Sequence, residues 1–545
     1  MNGRIASKST MHAVFIVFAC FLMACGGGGS NSSSVPARPN PAPSPNPVPS
    51  QPQWTFGVYE SASNFAARCE SPRSGIDPIS GNAYPDTAGS ALEEKLWMRS
   101  FSNETYLWFD EVPDNDPNDF TIPAYFAQLK TTELTASGKP KDSFHFSEDT
   151  ASYNERTQSG TSSGYGIRWE FVANHAPREL IVRYTEPGSP AEQAGIPRGA
   201  SVKVVDGIDF VNTEVQDDVD AINAALFPEA DGSEHTFEFE LIDGSRLTAT
   251  LLSGVISIQS VQNTRILDTE VGRVGYFQFN SFITPSQSDL IDAFHSFVDE
   301  SVTELVIDLR YNGGGSLNLA AQIAYMVAGP NQTRNAAFNR LRLNGKREQP
   351  APIPFWDSEI DYVSGVLLPN TLPSPELTRV FVITTESTCS ASESVINGLR
   401  GIDVEVIQIG ETTCGKPFGF VPEDNCGTTY FTIQSQGVND KGFGDYIDGF
   451  VPVASPVFDD QLPGCEVRDD FTQPLGSQSE QMLSTALYYA ANGECPAINA
   501  VQNAESRNTR ENQDEGGSGP AIRTPNVYLD AILSDQYQPI SKGGS

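Results

Sequence analysis

The spacing of hydrophobic positions changes several times along this chain, and each change predicts a different kind of element. Ala13 to Ala24 (AVFIVFACFLMA) is unbroken apolar sequence, about a dozen residues and too short to cross a bilayer as a helix. From 26 to 53 large apolar side chains almost disappear and Pro alternates with small polar residues, the pattern of an extended tether. Leu92, Leu96, Trp97 and Phe101 then recur at helical spacing between Ala91 and Tyr106, which predicts a helix within a small helical cap over 54–154.

Near 160 the period shortens to that of strands. Gly166 to Phe171, Leu180 to Tyr184, Ser201 to Val205, Thr236 to Leu241 and Leu247 to Leu252 alternate or run apolar between turn residues. Gly188-Ser189-Pro190-Ala191-Glu192-Gln193-Ala194-Gly195 supplies a turn and a short helix between two of them. Over 155–261 this arrangement resembles a PDZ domain of the kind attached to bacterial proteases. The resemblance implies that an extended peptide adds a strand to a sheet edge while the loop Tyr165-Gly166-Ile167 receives its terminal carboxylate.

From 262 to 497 strands and helices alternate, as in an α/β unit. Val274 to Phe279, Leu305 to Arg310, Val380 to Ile383 and Val404 to Ile409 are predicted strands. Gln287 to Glu300, Ser316 to Ala328, Ser394 to Arg400 and Met482 to Ala491 are predicted helices, the last closed by Gly493. The fold class is therefore multidomain α/β, with a polar stretch from 498 to 545 read as a flexible tail.

Composition narrows the class. Of 545 residues 39% are apolar and only 19% charged, enough apolar area for folded units. The 69 acidic against 34 basic residues give a net charge of −35, which argues against a nucleic-acid partner that depends on clustered Lys and Arg. Arg4 and Lys8 precede the first apolar run, which ends in Leu22-Met23-Ala24-Cys25. This resembles a bacterial lipobox, so 1–24 reads as a removed signal and Cys25 as a lipidated N-terminus holding the protein to a membrane. With Gly26 after the cysteine, the resemblance implies an exported lipoprotein of the outer membrane facing the periplasm or the cell surface.

Cys69, Cys389, Cys414, Cys426, Cys465 and Cys495 remain, and six cysteines in an exported chain suggest disulfides with fifteen pairings open. We expect Cys414 with Cys426 to close a hairpin and Cys465 with Cys495 to pin the last helix. No Cys-x-x-Cys pair or His at ligand spacing points to zinc, and Asp114 to Asp119 lacks the Gly and Glu of a calcium loop, so no metal or cofactor is expected.

Two strand-to-helix turns carry candidate chemistry. Ser390 stands at the start of a helix after a buried strand, beside unsatisfied N–H groups and the positive end of the helix dipole. Gly313 to Gly315 follow a neighbouring strand, where the lack of Cβ lets a further N–H approach. A Walker or Rossmann spacing is absent, and His12, His145, His175, His235 and His295 all fall outside the turns of the α/β unit. A lysine can replace histidine as base where apolar surroundings favour a neutral amine. Lys416, after the strand ending near 410 and followed by Pro417, Phe418 and Phe420, fits that role.

Asp308-Leu309-Arg310-Tyr311-Asn312-Gly313-Gly314-Gly315, Ser387-Thr388-Cys389-Ser390-Ala391-Ser392-Glu393 and Gly410-Glu411-Thr412-Thr413-Cys414-Gly415-Lys416 resemble, in order and spacing, three motifs of the C-terminal processing (tail-specific) serine peptidases. The resemblance implies a crotonase-like catalytic fold with Ser390 as nucleophile, Lys416 as general base and Glu393 supporting the lysine. The backbone N–H groups of Gly314 and Ala391 would form the oxyanion hole, and Cys389 and Cys414 would brace the site. Ser387 replaces the family's usual Gly, and Gly313 replaces a Pro. Ser392 is the rival nucleophile, two residues further into the helix. The activity implied is hydrolysis of protein or peptide substrates near their C-terminal tails through an acyl-enzyme; the alternative is a catalytically silent PDZ-containing scaffold lipoprotein.

Overall fold

The computed structural model describes residues 52–78, 80–228, 231–497, 519–523 and 540, the side chains of 155–159 aside. The signal segment, Cys25 and the tether up to residue 51 lie outside the described residues, as does most of the tail. Among the described residues no helix is long and apolar enough to cross a membrane.

Helix α1 (Ala91–Thr105) starts at Ser90, whose side chain accepts from Glu93 N–H, and runs through Leu96, Trp97, Met98 and Phe101 at helical spacing. These side chains pack with Tyr125, Phe126 and also Tyr430, which belongs to the later α/β region. Strand Phe146–Asp149 pairs antiparallel with Thr428–Phe431, and Cys69 is bonded to Cys426. The stretch expected as a helical cap thus shares a core, a ladder and a disulfide with the α/β unit. The expected Cys414–Cys426 bridge is corrected accordingly: Cys426 reaches across 357 positions to Cys69, and Cys414 pairs with Cys389. Sequence proximity favoured the hairpin closure, but a disulfide follows Cα spacing in the folded chain. Cys465–Cys495 forms as expected.

The β-rich unit is an antiparallel sheet of β1 (Ile167–Ala173), β2 (Glu179–Thr185), β3 (Ser201–Val205), β4 (Glu234–Glu240) and β5 (Arg246–Leu252) in the order β5-β4-β3-β2-β1, with the short strand Ile208–Asp209 paired to β3. Its inward positions, among them Leu180, Val182, Val202, Phe237 and Phe239, close on Val219 and Ile222 of helix α2 (Gln216–Leu226). Period-2 alternation in the sequence becomes one packed face here, because successive strand side chains point to opposite sides.

The α/β unit holds a seven-stranded sheet built from β6 (Val261–Thr269), β7 (Gly272–Phe279), β8 (Glu304–Asp308), β9 (Arg379–Thr384), β10 (Glu405–Gly410), β11 (Val451–Val453) and β12 (Gln461–Glu466), in the order β6-β7-β8-β9-β10-β12-β11. Only the β6–β7 pair is antiparallel. Phe277, Ile307, Val382 and Val406 face helices α3 (Gln287–Asp299), α4 (Leu317–Thr333) and α5 (Ala391–Gly401). Tyr276, Val306, Phe381 and Ile407 face α6 (Gln481–Asn492). With helices on both sides, these strands read as continuous apolar runs. The C-terminal ends of β8, β9 and β10 lie side by side, and the three candidate motifs leave from those ends, where parallel sheets form their binding crevices.

Candidate active site

The turn after β9 is fastened to the turn after β8 by short hydrogen bonds. Thr388 Oγ1 donates to Leu309 O (2.8 Å), Cys389 N–H to Asn312 O (3.0 Å), and Ser392 Oγ to the same Asn312 O (2.9 Å). Ser392, the rival nucleophile, is therefore spent on a backbone carbonyl. The chain then turns sharply into α5. Ser390 takes φ 56° and ψ −111°, a conformation that costs a non-glycine residue about 1–3 kcal/mol and clusters at functional sites. The predicted helix from Ser394 begins three residues earlier, directly after Ser390.

Glu393, in the first turn of α5, is fully buried and points back under this bend. Its Oε2 accepts from Ser390 N–H (2.9 Å) and Lys416 N–H (2.8 Å). Its Oε1 accepts from Gly415 N–H (2.9 Å) and Thr413 Oγ1 (2.5 Å). One carboxyl group thus gathers the backbone of the serine and of the lysine. Burial pushes the Glu393 carboxyl above the usual carboxylate range, while these four donors act the other way. The Cys389–Cys414 bridge, with Cα atoms 5.3 Å apart, makes a second, covalent link between the same turns.

Lys416 is 1% exposed, in aromatic surroundings. Its Nζ lies 4.3 Å from the ring centre of Phe420 and 5.5 Å from that of Phe144, the latter supplied by the N-terminal region. Gly415 just before it has φ 84°, and a Cβ there would meet Ile447 O at 2.2 Å, so only glycine lets the loop after β10 reach this position.

Gly314 is brought against the serine as well. A Cβ on it would stand 2.8 Å from Ser390 Cβ and 3.0 Å from Ala391 N, at φ 117°. Its N–H, however, donates to Asn312 Oδ1 (2.9 Å), an arrangement that differs from the expected open oxyanion donor. Asn312 in turn donates through Nδ2 to Phe279 O (2.9 Å). Asn312 and Thr413 are thus site residues that sequence reasoning passed over; their signal was a polar side chain just before a run of glycines or beside a cysteine, which nothing in the linear pattern distinguishes from a turn residue. His145 is engaged away from these turns: its Nε2 bonds Phe126 O (2.9 Å), and burial holds its imidazole down at about 4.

In the β-rich unit, the Tyr165-Gly166-Ile167 loop is fixed by its carbonyls. Tyr165 O accepts from Ala191 N–H (3.1 Å) and Gly166 O from Glu186 N–H (2.7 Å), and the Tyr165 ring packs on Phe237. The unit meets the α/β unit through Arg183, whose Nη2 donates to Ser387 Oγ (3.2 Å), and Arg198, which donates to Asp469 Oδ1 and Tyr311 Oη at 2.6 Å each. Arg310 completes a buried cluster with Asp308, Glu480 and Asp469.

Residues 273–423 match the family model "Peptidase family S41". A carboxyl-terminal-processing protease of Picosynechococcus sp. is 30% identical over 169 residues, 30% of this chain and 38% of that protein. The chloroplastic carboxyl-terminal-processing peptidase 3 of Arabidopsis thaliana is 24% identical over 269 residues, 47% of this chain and 46% of that one. The chain thus matches less than half the length of either relative. Among solved structures, a putative S41 protease from Bacteroides fragilis superposes with a TM-score of 0.54 at 22% identity, over 75% of this chain and 98% of that chain, a likeness of fold.

Proposed function

We propose that this chain, which carries a peptidase family S41 domain, is a serine endopeptidase acting on protein substrates near their C-terminal tails. Lys416 Nζ takes the proton from Ser390 Oγ as that oxygen attacks the scissile carbonyl. The acyl-enzyme forms with departure of the new amine, which takes a proton from Lys416, and a water activated by the same lysine then releases the acyl group. Ala391 N–H and Gly314 N–H stabilise the oxyanion once Asn312 Oδ1 yields the glycine donor. Glu393 positions both reacting residues and does not itself touch substrate.

The observation that carries this reading is the shared oxygen of Glu393, which takes the N–H groups of Ser390 and Lys416 and so holds nucleophile and base on one buried acceptor. We read the chain as a cap over 54–154, a PDZ-like unit over 155–261 that receives the substrate tail at Tyr165 to Ile167, and a catalytic unit over 262–497. The Leu22-Met23-Ala24-Cys25 run supports export and a lipid anchor on Cys25.

Cleavage of an unfolded reporter protein tests the chemistry. Ser390→Ala and Lys416→Ala should each abolish turnover while leaving near-ultraviolet dichroism intact, and a serine-directed phosphonylating probe should label the native chain on Ser390 alone. Cleavage that persists in Ser390→Ala would assign the chemistry to another residue.

A further inference from the structure

The described part of the C-terminal stretch is seated on the PDZ-like unit, where a flexible tail was expected. Ile522 is 2% exposed and belongs to the same apolar cluster as Leu180, Val219 and Ile222. Its N–H donates to Asn174 O (3.0 Å), one residue past the end of β1, and Arg523 N–H donates to Asn223 Oδ1 (2.7 Å) on α2. The segment therefore bridges the turn that follows the edge strand and the helix that covers the sheet. β1 pairs with β2 on one side and with no strand on the other among the described residues, so the segment lies at one end of an edge open to strand addition.

Arg178 makes this a built site. It is 2% exposed, its Nη1 donates to Thr213 O (2.6 Å), and its Nη2 donates to Pro520 O (2.5 Å). A buried guanidinium turned onto carbonyls of the unit itself and onto one carbonyl of the tail gives the tail backbone a charge-assisted partner at that place. The same stretch touches the molecule again at Ile540, half-buried against the core of the α/β unit.

We propose that Pro520–Arg523 is a ligand in cis: it fills a peptide-docking site whose anchor pocket takes a branched aliphatic side chain, and it competes with substrate segments of the same chemistry. The proposal rests on the peptidase reading only for its kinetic consequence. A tethered segment faces its site at an effective concentration on the order of 1 mM, so an intrinsic Kd of about 0.1 mM would raise the apparent KM of a competing substrate about tenfold.

The test separates docking from catalysis. A chain ending at Gly517 and carrying Ser390→Ala should bind the free peptide Gly-Pro-Ala-Ile-Arg-Thr-Pro saturably by fluorescence anisotropy. The full-length Ser390→Ala chain should bind it about tenfold more weakly, and the peptide with Asp in place of Ile should bind neither. With Ser390 present, the truncated chain and full-length Ile522→Asp should both show KM for an unfolded substrate ending in aliphatic residues lowered about tenfold at constant kcat. Absence of peptide binding to the folded truncated chain, or an unchanged KM, overturns the proposal. Loss of amide-exchange protection in β1 and α2 of either variant makes Ile522 a fixed core residue and overturns it equally. Peptide binding with no cleavage by any chain would leave the docking site standing and remove the peptidase reading.

Discussion

Glu393 and Asp469 are two carboxyl groups almost removed from water, held by opposite means. Glu393 sits among backbone N–H groups and a threonine hydroxyl, and burial drives its carboxyl upward. Asp469 is pushed up by burial too, but the guanidinium groups of Arg310 and Arg198, with the Tyr311 hydroxyl, hold it down at about 2. Neutral dipoles satisfy a buried carboxyl without neutralising it, whereas fixed cations do both. The first arrangement gathers the backbone of Ser390 and Lys416 on one acceptor without using a guanidinium. The second locks the junction between the PDZ-like unit and the catalytic sheet, where Arg198 and Arg310 converge on one aspartate.

The largest effect should come from breaking the cationic side of this contrast. Arg310→Met leaves Asp308, Glu480 and Asp469 facing one another with too little positive charge, and should cost about 3–5 kcal/mol in urea unfolding. At the catalytic turns, Glu393→Gln replaces an acceptor by an NH2 group aimed at N–H donors. We expect a loss of about 1–3 kcal/mol and a kcat reduced about 100-fold or more, because the serine and lysine backbones are no longer gathered on one group.

Acid titration of stability sharpens the comparison through its sign. Asp469 is held below its unfolded value, so its contribution of about 2 kcal/mol is present above pH 4 and is lost as pH falls toward 2. Glu393 is raised, so its contribution is full below the usual carboxylate range and declines as pH rises through its folded value. Asp469→Asn should flatten the acid-side slope, and Glu393→Gln should leave that part of the curve in place. Ser387→Ala, which removes only the hydroxyl that accepts from Arg183, should change stability by about 1 kcal/mol or less and KM more than kcat.

Much of the catalytic unit was legible in the chain because its strands are apolar on both faces and its helices amphipathic: β8, β9 and β10 fall where the apolar runs predicted them. The strands of the PDZ-like unit were equally plain from alternation. Ser390 stands at the start of α5 as the sequence suggested, and the regular helix opens at Ala391, ahead of the Ser394 read from periodicity, because the bond from Ser392 to Asn312 O fixes the turn. The Cys69–Cys426 link and the seat of Ile522 joined segments hundreds of residues apart, which no local pattern encodes.

The sequence by itself determined the order of the elements, the three motif turns and the residue types available for acyl transfer, since these depend on periodicity and local chemistry. Only the tertiary structure decided that one carboxyl oxygen serves both Ser390 and Lys416, that Asn312 occupies the Gly314 donor, and that the chain's own C-terminal segment lies on the PDZ-like unit. Each of these depends on groups from distant positions meeting within hydrogen-bond reach in a dry interior, where unpaired polar atoms are too costly to leave unmatched.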